Sequence, residues 1–270
     1  MLKQRVFTAI VLAPLALLGV FALPLSSFIY FLDAAILLAA WEWANLSGYD
    51  KALKRYTYVL IMALAILGLH LSYADLPVSS ILLVSAFAWL IALVWVMRYP
   101  QSVGWARSWQ RALIGFVVLV PCWLAFVSMK ASDNGELLIL LLFLLVWGAD
   151  VGAYFAGKRF GRNKLAPHVS PGKTREGVYG GLFSTAIVAI GYAIYSGFEA
   201  SQLIMLLGLA VLTGVVSVLG DLFESMLKRH RGIKDSSQLL PGHGGILDRI
   251  DSLTAASPVF VLGMQYLIAS

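Results

Sequence analysis

Charge is what this sequence has least of. Only 13% of its 270 residues are Asp, Glu, Lys or Arg, where a soluble domain carries roughly a quarter. Cysteine is nearly missing as well. Cys122 stands alone inside an apolar run, which excludes a disulfide framework and a cysteine-based zinc site. Strand-like alternation is absent, and no long linker, low-complexity tract or internal repeat divides the chain. An open sheet in lipid would in any case leave backbone groups unpaired.

What is present in abundance is apolar length. Hydrophobic residues make up 60% of the chain, and a bilayer core of about 30 Å needs about 20 of them per helix. Such runs recur at 6–23, 28–46, 57–74, 78–97, 112–129, 136–156, 178–196, 202–223 and 252–270. The expectation is an all-α polytopic integral membrane protein with about nine transmembrane helices. The first stretch, MLKQRVFTAIVLAPLALLGVFALPL, has the basic start of a signal peptide but no small-x-small cleavage site, and reads as an uncleaved helix. Residues 1–270 form one transmembrane domain, with N-terminal helices over 1–130 and the polar, informative helices and loops over 136–270.

The net charge of +6 could point to nucleic acid, but the positions of the charges exclude it. With the N-terminus in the cytoplasm, 19 of the 20 basic residues fall on the cytoplasmic side, and Lys130 alone on the other. That asymmetry is the positive-inside rule. It predicts N-in, C-out, with both long polar loops and a polar cavity facing the cytoplasm.

Four acids, Asp33, Glu42, Asp150 and Asp221, fall in or at the edge of expected spans. A carboxylate there costs about 2.5–3.5 kcal/mol on insertion scales, so it marks a cavity or a pair. Asp33 and Glu42 read as structural, Glu42 in a WEW triplet near enough to the interface to reach headgroup water. Asp150 and Asp221 stand in richer company.

Three polar stretches follow. In WGADVGAYFAGKRFGRNKL, Asp150, Tyr154 and Lys158 are spaced i, i+4, i+8 on one helix face. Gly148 and Gly152 form a small-xxx-small pair that admits a second helix. SPGKTREG, residues 170–177, holds a GKT triplet, yet Pro167 stands where a P-loop needs its first glycine. What remains is a Pro171-Gly172 turn leading to Lys173, Thr174 and a helix start, a setting that suits a phosphate. In VLGDLFESMLKRHRGIKDSSQLLPGHGGILDRID, Asp221, Ser225 and Lys228 share a helical face, and Gly232 stops the helix. Gly244 and Gly245 then free backbone amides, and a last helix begins near Ile246 with Asp248 and Asp251 in its first turn. Carboxylates with substrate phosphates would hold a hard cation, Mg²⁺. Acids for a divalent metal and cations for phosphate are the equipment of phosphoryl or nucleotidyl transfer.

The third stretch resembles the signature of the phosphatidate cytidylyltransferases, or CDP-diacylglycerol synthases: S-x-x-K-R, four residues, K-D, then P-x-H-G-G-x-x-D-R-x-D. The matching residues are Ser225, Lys228, Arg229, Lys234, Asp235, Pro241, His243, Gly244, Gly245, Asp248, Arg249 and Asp251. The likeness extends upstream through the other two stretches. It departs at Arg175, where the family usually has tryptophan.

The resemblance implies that CTP and phosphatidic acid give CDP-diacylglycerol and pyrophosphate at the cytoplasmic (inner) membrane. It implies Mg²⁺ on Asp221, Asp248 and Asp251, K⁺ as a candidate second cation, and a homodimer. Asp150, Lys173, Lys228 and Arg249 join Asp221 and Asp248 as catalytic candidates, Asp150 either supporting the metal or orienting Lys158 or Lys173. Lys158, Ser170, Thr174, Ser225, Arg229, Lys234, His243, Gly244 and Gly245 are the substrate-binding candidates. Two alternatives remain at this level: a polyprenol-lipid kinase or nucleotidyltransferase, and an ion-coupled transporter.

Overall fold

The computed structural model describes residues 11 and 14–269. The start of the first expected span (6–10 and 12–13), Lys3 and Arg5 of the charge count, and the terminal Ser270 lie outside the described residues.

The described chain is helical nearly throughout. After α1 (residues 14–22), Pro24 caps α2 (Leu25–Leu46). Then come α3 (Ala52–Leu71), α4 (Val78–Arg98), α5 (Ser108–Lys130) and α6 (Gly135–Phe160). A two-stranded hairpin, β1 (Lys164–Ala166) and β2 (Ser170–Thr174), leads to α7 (Arg175–Ser196), α8 (Ala200–Arg231) and α9 (Leu247–Ala269). Seven of these, α2 to α8, are long and apolar enough to cross a membrane, so the chain is a polytopic membrane protein.

Burial orders the bundle. Of the most apolar window of α5, 67% is buried, against 17% for α3, so α5 is central and α3 peripheral. Trp43, Trp123, Phe223 and Phe260 fill the interior. Leu60, Leu64 and Leu67 of α3 are more than half exposed, as suits a helix with lipid on its outer face. Asp33 is paired inside: Trp123 Nε1 donates to its Oδ1 at 2.7 Å, and His70 Nε2 lies 3.4 Å from the same oxygen.

Glycine lets the site-bearing helices close on each other. A Cβ on Gly152 would meet the Gly180 carbonyl at 2.5 Å, so α6 and α7 cross backbone to backbone, as the small-xxx-small spacing predicts. A Cβ on Gly220 would likewise meet the Asp251 carbonyl at 2.5 Å, which fixes the start of α9 against α8 beside Asp221. Helix α8 runs 32 residues and stops at Gly232, whose φ of 74° is left-handed. That is the expected terminator.

Two expectations are corrected. Pro171 and Gly172 do not form a turn: they lie within β2, and the reversal falls at residues 167–169. Proline is tolerated there because a two-stranded ribbon has only edges, so its missing N–H breaks no inner ladder. Glu42 does not reach headgroup water either. It is 1% exposed, because four hydrogen-bond donors converge on it in the interior.

Candidate active site

Four elements meet at one end of the bundle. Helix α8 contributes Asp221, Glu224, Ser225 and Lys228, and α9 contributes Asp248 from its first turn and Asp251, which falls in the next turn and not in the first as expected. The hairpin brings Lys173, and α6 brings Asp150.

Lys173 Nζ lies 2.6 Å from Asp221 Oδ2, and Ser225 Oγ donates to Asp221 Oδ1 at 3.1 Å. Lys228 Nζ donates to Asp248 Oδ1 at 2.6 Å and stands 3.4 Å from Glu224 Oε1. The other oxygen of Asp248, Oδ2, accepts from Gly245 N at 2.7 Å and from Ser236 N and Ser236 Oγ, each at 2.9 Å. Burial alone would push the Asp248 carboxyl up. The Lys228 ammonium and the Gly245 N–H outweigh burial and hold it below its usual range.

Asp150 interacts electrostatically with Lys173, Asp221 and Arg249, and Asp251 with Asp221 and Lys228. One continuous run of charged groups, with the like charges Asp221 and Asp251 adjacent within it, thus links α6, the hairpin, α8 and α9. Asp221 and Asp248 join it through Asp251 and Lys228.

Two cavities flank this run. The larger, about 770 Å³, is lined by Lys234, Asp235, Ser237, Gln238, His243 and Arg249 among others. The smaller, about 370 Å³, is lined by Asp150, Tyr154, Lys158, Lys173, Thr174 and Val218 among others. The i, i+4, i+8 face of α6 therefore points into one cavity, and Lys158 Nζ sits over the Tyr154 ring, 5.8 Å from its centre.

The remaining sequence candidates divide between the cavities and the scaffold. His243 lines the larger cavity, and its Nδ1 is buried without a hydrogen-bond partner. Gly244 adopts φ 79°, where a side chain would also collide with Asp248 Oδ2. Thr174 caps α7, its Oγ1 accepting from Gly177 N at 3.1 Å. Arg229 Nε donates to the Val169 carbonyl at 3.2 Å and ties the hairpin turn to α8. Ser170 pairs with Ala166 in the hairpin. Arg175 is exposed at the start of α7.

Glu224 was not among the sequence candidates. It is 2% exposed, neither oxygen accepts a hydrogen bond although the Lys228 ammonium stands 3.4 Å from Oε1, and it stands against Asp251. A buried carboxylate facing a half-buried one needs a proton or a cation between them. The signal was available: Glu224 lies three residues after Asp221 and four before Lys228, on the same side of α8. Among the described residues, no three His, Cys, Asp or Glu side chains close a metal site by themselves. The donors present fit a hard cation whose remaining ligands come from substrate oxygens.

Residues 3–267 match the model of the cytidylyltransferase family. The chain is 48% identical over 263 residues to a phosphatidate cytidylyltransferase of Pseudomonas aeruginosa, covering 96% of each chain. It is 40% identical over 286 residues to one of Haemophilus influenzae, covering 96% of this chain and 97% of that one. A third, from Thermotoga maritima, is 33% identical over 264 residues, covering 96% and 94%.

Proposed function

The chain belongs to the cytidylyltransferase family, and we infer from this membership that it transfers the cytidylyl group of CTP to phosphatidate. A phosphate oxygen of phosphatidate attacks the α-phosphorus of CTP. A new P–O–P linkage forms, the α–β linkage breaks, and pyrophosphate leaves with the displaced electron pair. The product is CDP-diacylglycerol. The observation that carries this reading is the near full-length likeness to the Pseudomonas protein. Neither the polyprenol alternative nor the transporter has a specific observation in its favour.

The nucleophile is already anionic, so no covalent residue and no strong base are required. The work is to bring two mutually repelling anions together in line. Lys234, His243 and Arg249 in the larger cavity suit a nucleotide triphosphate. Lys158, Lys173 and Tyr154 in the smaller one suit a lipid phosphate with apolar chains beside it, because Tyr154 and its neighbour Phe155 are more than half exposed. In this reading the reacting phosphorus sits along the run of charged groups, where Asp150 orients Lys173 and Lys228 neutralises charge.

Asp221 and Asp251 would hold Mg²⁺ together with phosphate oxygens, and Asp248 would join them by releasing Lys228. Bound there, Mg²⁺ would supply charge neutralisation and polarise the phosphoryl oxygens. K⁺ is the proposed second cation. Nine spans, an N-in/C-out topology with the site facing the cytoplasm, inner-membrane residence and a homodimer complete the proposal. The count of basic residues supports the orientation.

Purified protein given CTP, phosphatidate and Mg²⁺ should release one pyrophosphate per CDP-lipid formed, and omission of Mg²⁺ should stop both. Pyrophosphate release without a CDP-lipid, or a product formed only with a polyprenol lipid, would overturn the reading.

A further inference from the structure

Between Gly232 and Leu247 the chain has no helix and no strand beyond one bridge, Leu240 to Gly244. Yet this segment carries Lys234, His243 and the approach to Arg249. An irregular segment holds one shape only where its backbone groups find fixed partners. Much of that fixing comes from far away in the chain.

The Glu42 carboxylate of α2 accepts four hydrogen bonds. Oε1 takes Ser237 Oγ at 2.5 Å and Ile246 N at 3.1 Å. Oε2 takes Leu247 N at 2.7 Å and Ser236 Oγ at 3.1 Å. Ile246 N and Leu247 N stand at the mouth of α9, where helix amides lack intrahelical partners and the dipole favours an anion. Ser236 Oγ faces Asp248 Oδ2 as well, at 2.9 Å, so one hydroxyl hydrogen is divided between two carboxylates. Gly245 lies between them, and a Cβ there would run into Ser236 Oγ and Glu42 Oε1. The turn is clamped by Asp248 from one side and Glu42 from the other, with no room for a side chain.

We propose that Glu42 is a positioning residue for the nucleotide half of the site, holding the 236–247 turn so that His243 and Arg249 face the larger cavity. Glu42 touches neither substrate. It acts through Ser236, Ser237 and the first amides of α9. The inference rests on the reading that the larger cavity takes CTP.

The test is a split in Michaelis constants. Glu42→Gln keeps the volume but removes the charge that four donors require, and should raise KM for CTP about tenfold while KM for phosphatidate stays within about twofold. Glu42→Asp restores the charge on a shorter arm and should recover part of the loss. A scaffold role without positioning would lower active fraction and leave both constants alone. If KM for CTP stays within about twofold of wild type in Glu42→Gln, or both constants rise together, the proposal is wrong. Should Glu42→Gln not purify folded, Glu42→Asp is read by the same criterion. Arg249→Ala separates the two levels of inference. If it raises KM for CTP and the Glu42 variants do not, only the positioning role falls. If it leaves KM for CTP unchanged, the cavity assignment falls and takes the positioning role with it.

Discussion

Lys173 Nζ, on the last strand before α7, lies 2.6 Å from Asp221 Oδ2 on α8. The two residues stand 48 positions apart in the chain, and Lys173 lines the smaller cavity. Both side chains remain about a quarter exposed, so the bond is worth about 1 kcal/mol or less to the fold. In the proposed function its weight falls on chemistry instead.

Replacement of Lys173 by Met should therefore lower kcat about 100-fold, the scale seen when one charge-stabilising contact is lost from a transition state. The thermal midpoint should barely move. Turnover assays and a melt on the same preparation test both halves, and a large fall in midpoint would make the pair structural.

Asp248 differs because it is buried and fully engaged. Asp248→Asn should abolish turnover while the protein still inserts. It also leaves Lys228 facing an amide and turns an NH₂ toward an N–H or an ammonium. Breaking such a buried pair costs about 3–5 kcal/mol. Loss of turnover with a lower thermal midpoint is the expected result. Near-normal turnover at modest Mg²⁺ would remove Asp248 from the metal shell.

Gly152 tests the helix crossing. Gly152→Val sets a branched side chain where even a Cβ meets the Gly180 carbonyl at 2.5 Å, and overpacking of this kind costs about 1–3 kcal/mol or more. A lower yield and a lower melting midpoint are expected, read by size-exclusion chromatography and a thermal scan. An unchanged midpoint would mean that α6 and α7 separate without penalty.

Arg175 is exposed, and its backbone N–H, not its side chain, makes the structural bond, to the Asn163 carbonyl at 2.9 Å. Arg175→Trp should keep turnover within about twofold of wild type, the range expected where no transition-state contact is removed. A steady-state assay decides it.

Much of the site could be read from spacing because helices turn spacing into geometry. Asp221, Ser225 and Lys228 do share a face, Gly232 does end α8, and α9 begins one residue after Ile246. Where the partner lies far off in sequence, spacing says nothing. The hairpin is not legible locally because Pro-Gly is a strong turn signal. What overrides that signal is tertiary: Arg229 holds Val169, and Glu176 accepts from the backbone N–H groups of Arg162 and Asn163. Glu42 reads as an interfacial acid until its partners 194 to 205 residues onward come into view. Glu224 lies within reach of helical spacing alone, three residues after Asp221 and four before Lys228.

The bond from Glu42 to the mouth of α9 has a further meaning for how the chain may be cut. A fragment beginning at residue 135 would retain the lysines, aspartates and arginine proposed to meet phosphate. It would lose the peg on which its final helix hangs. The early helices, polar in so few places, thus anchor the entry to the last helix through one carboxylate.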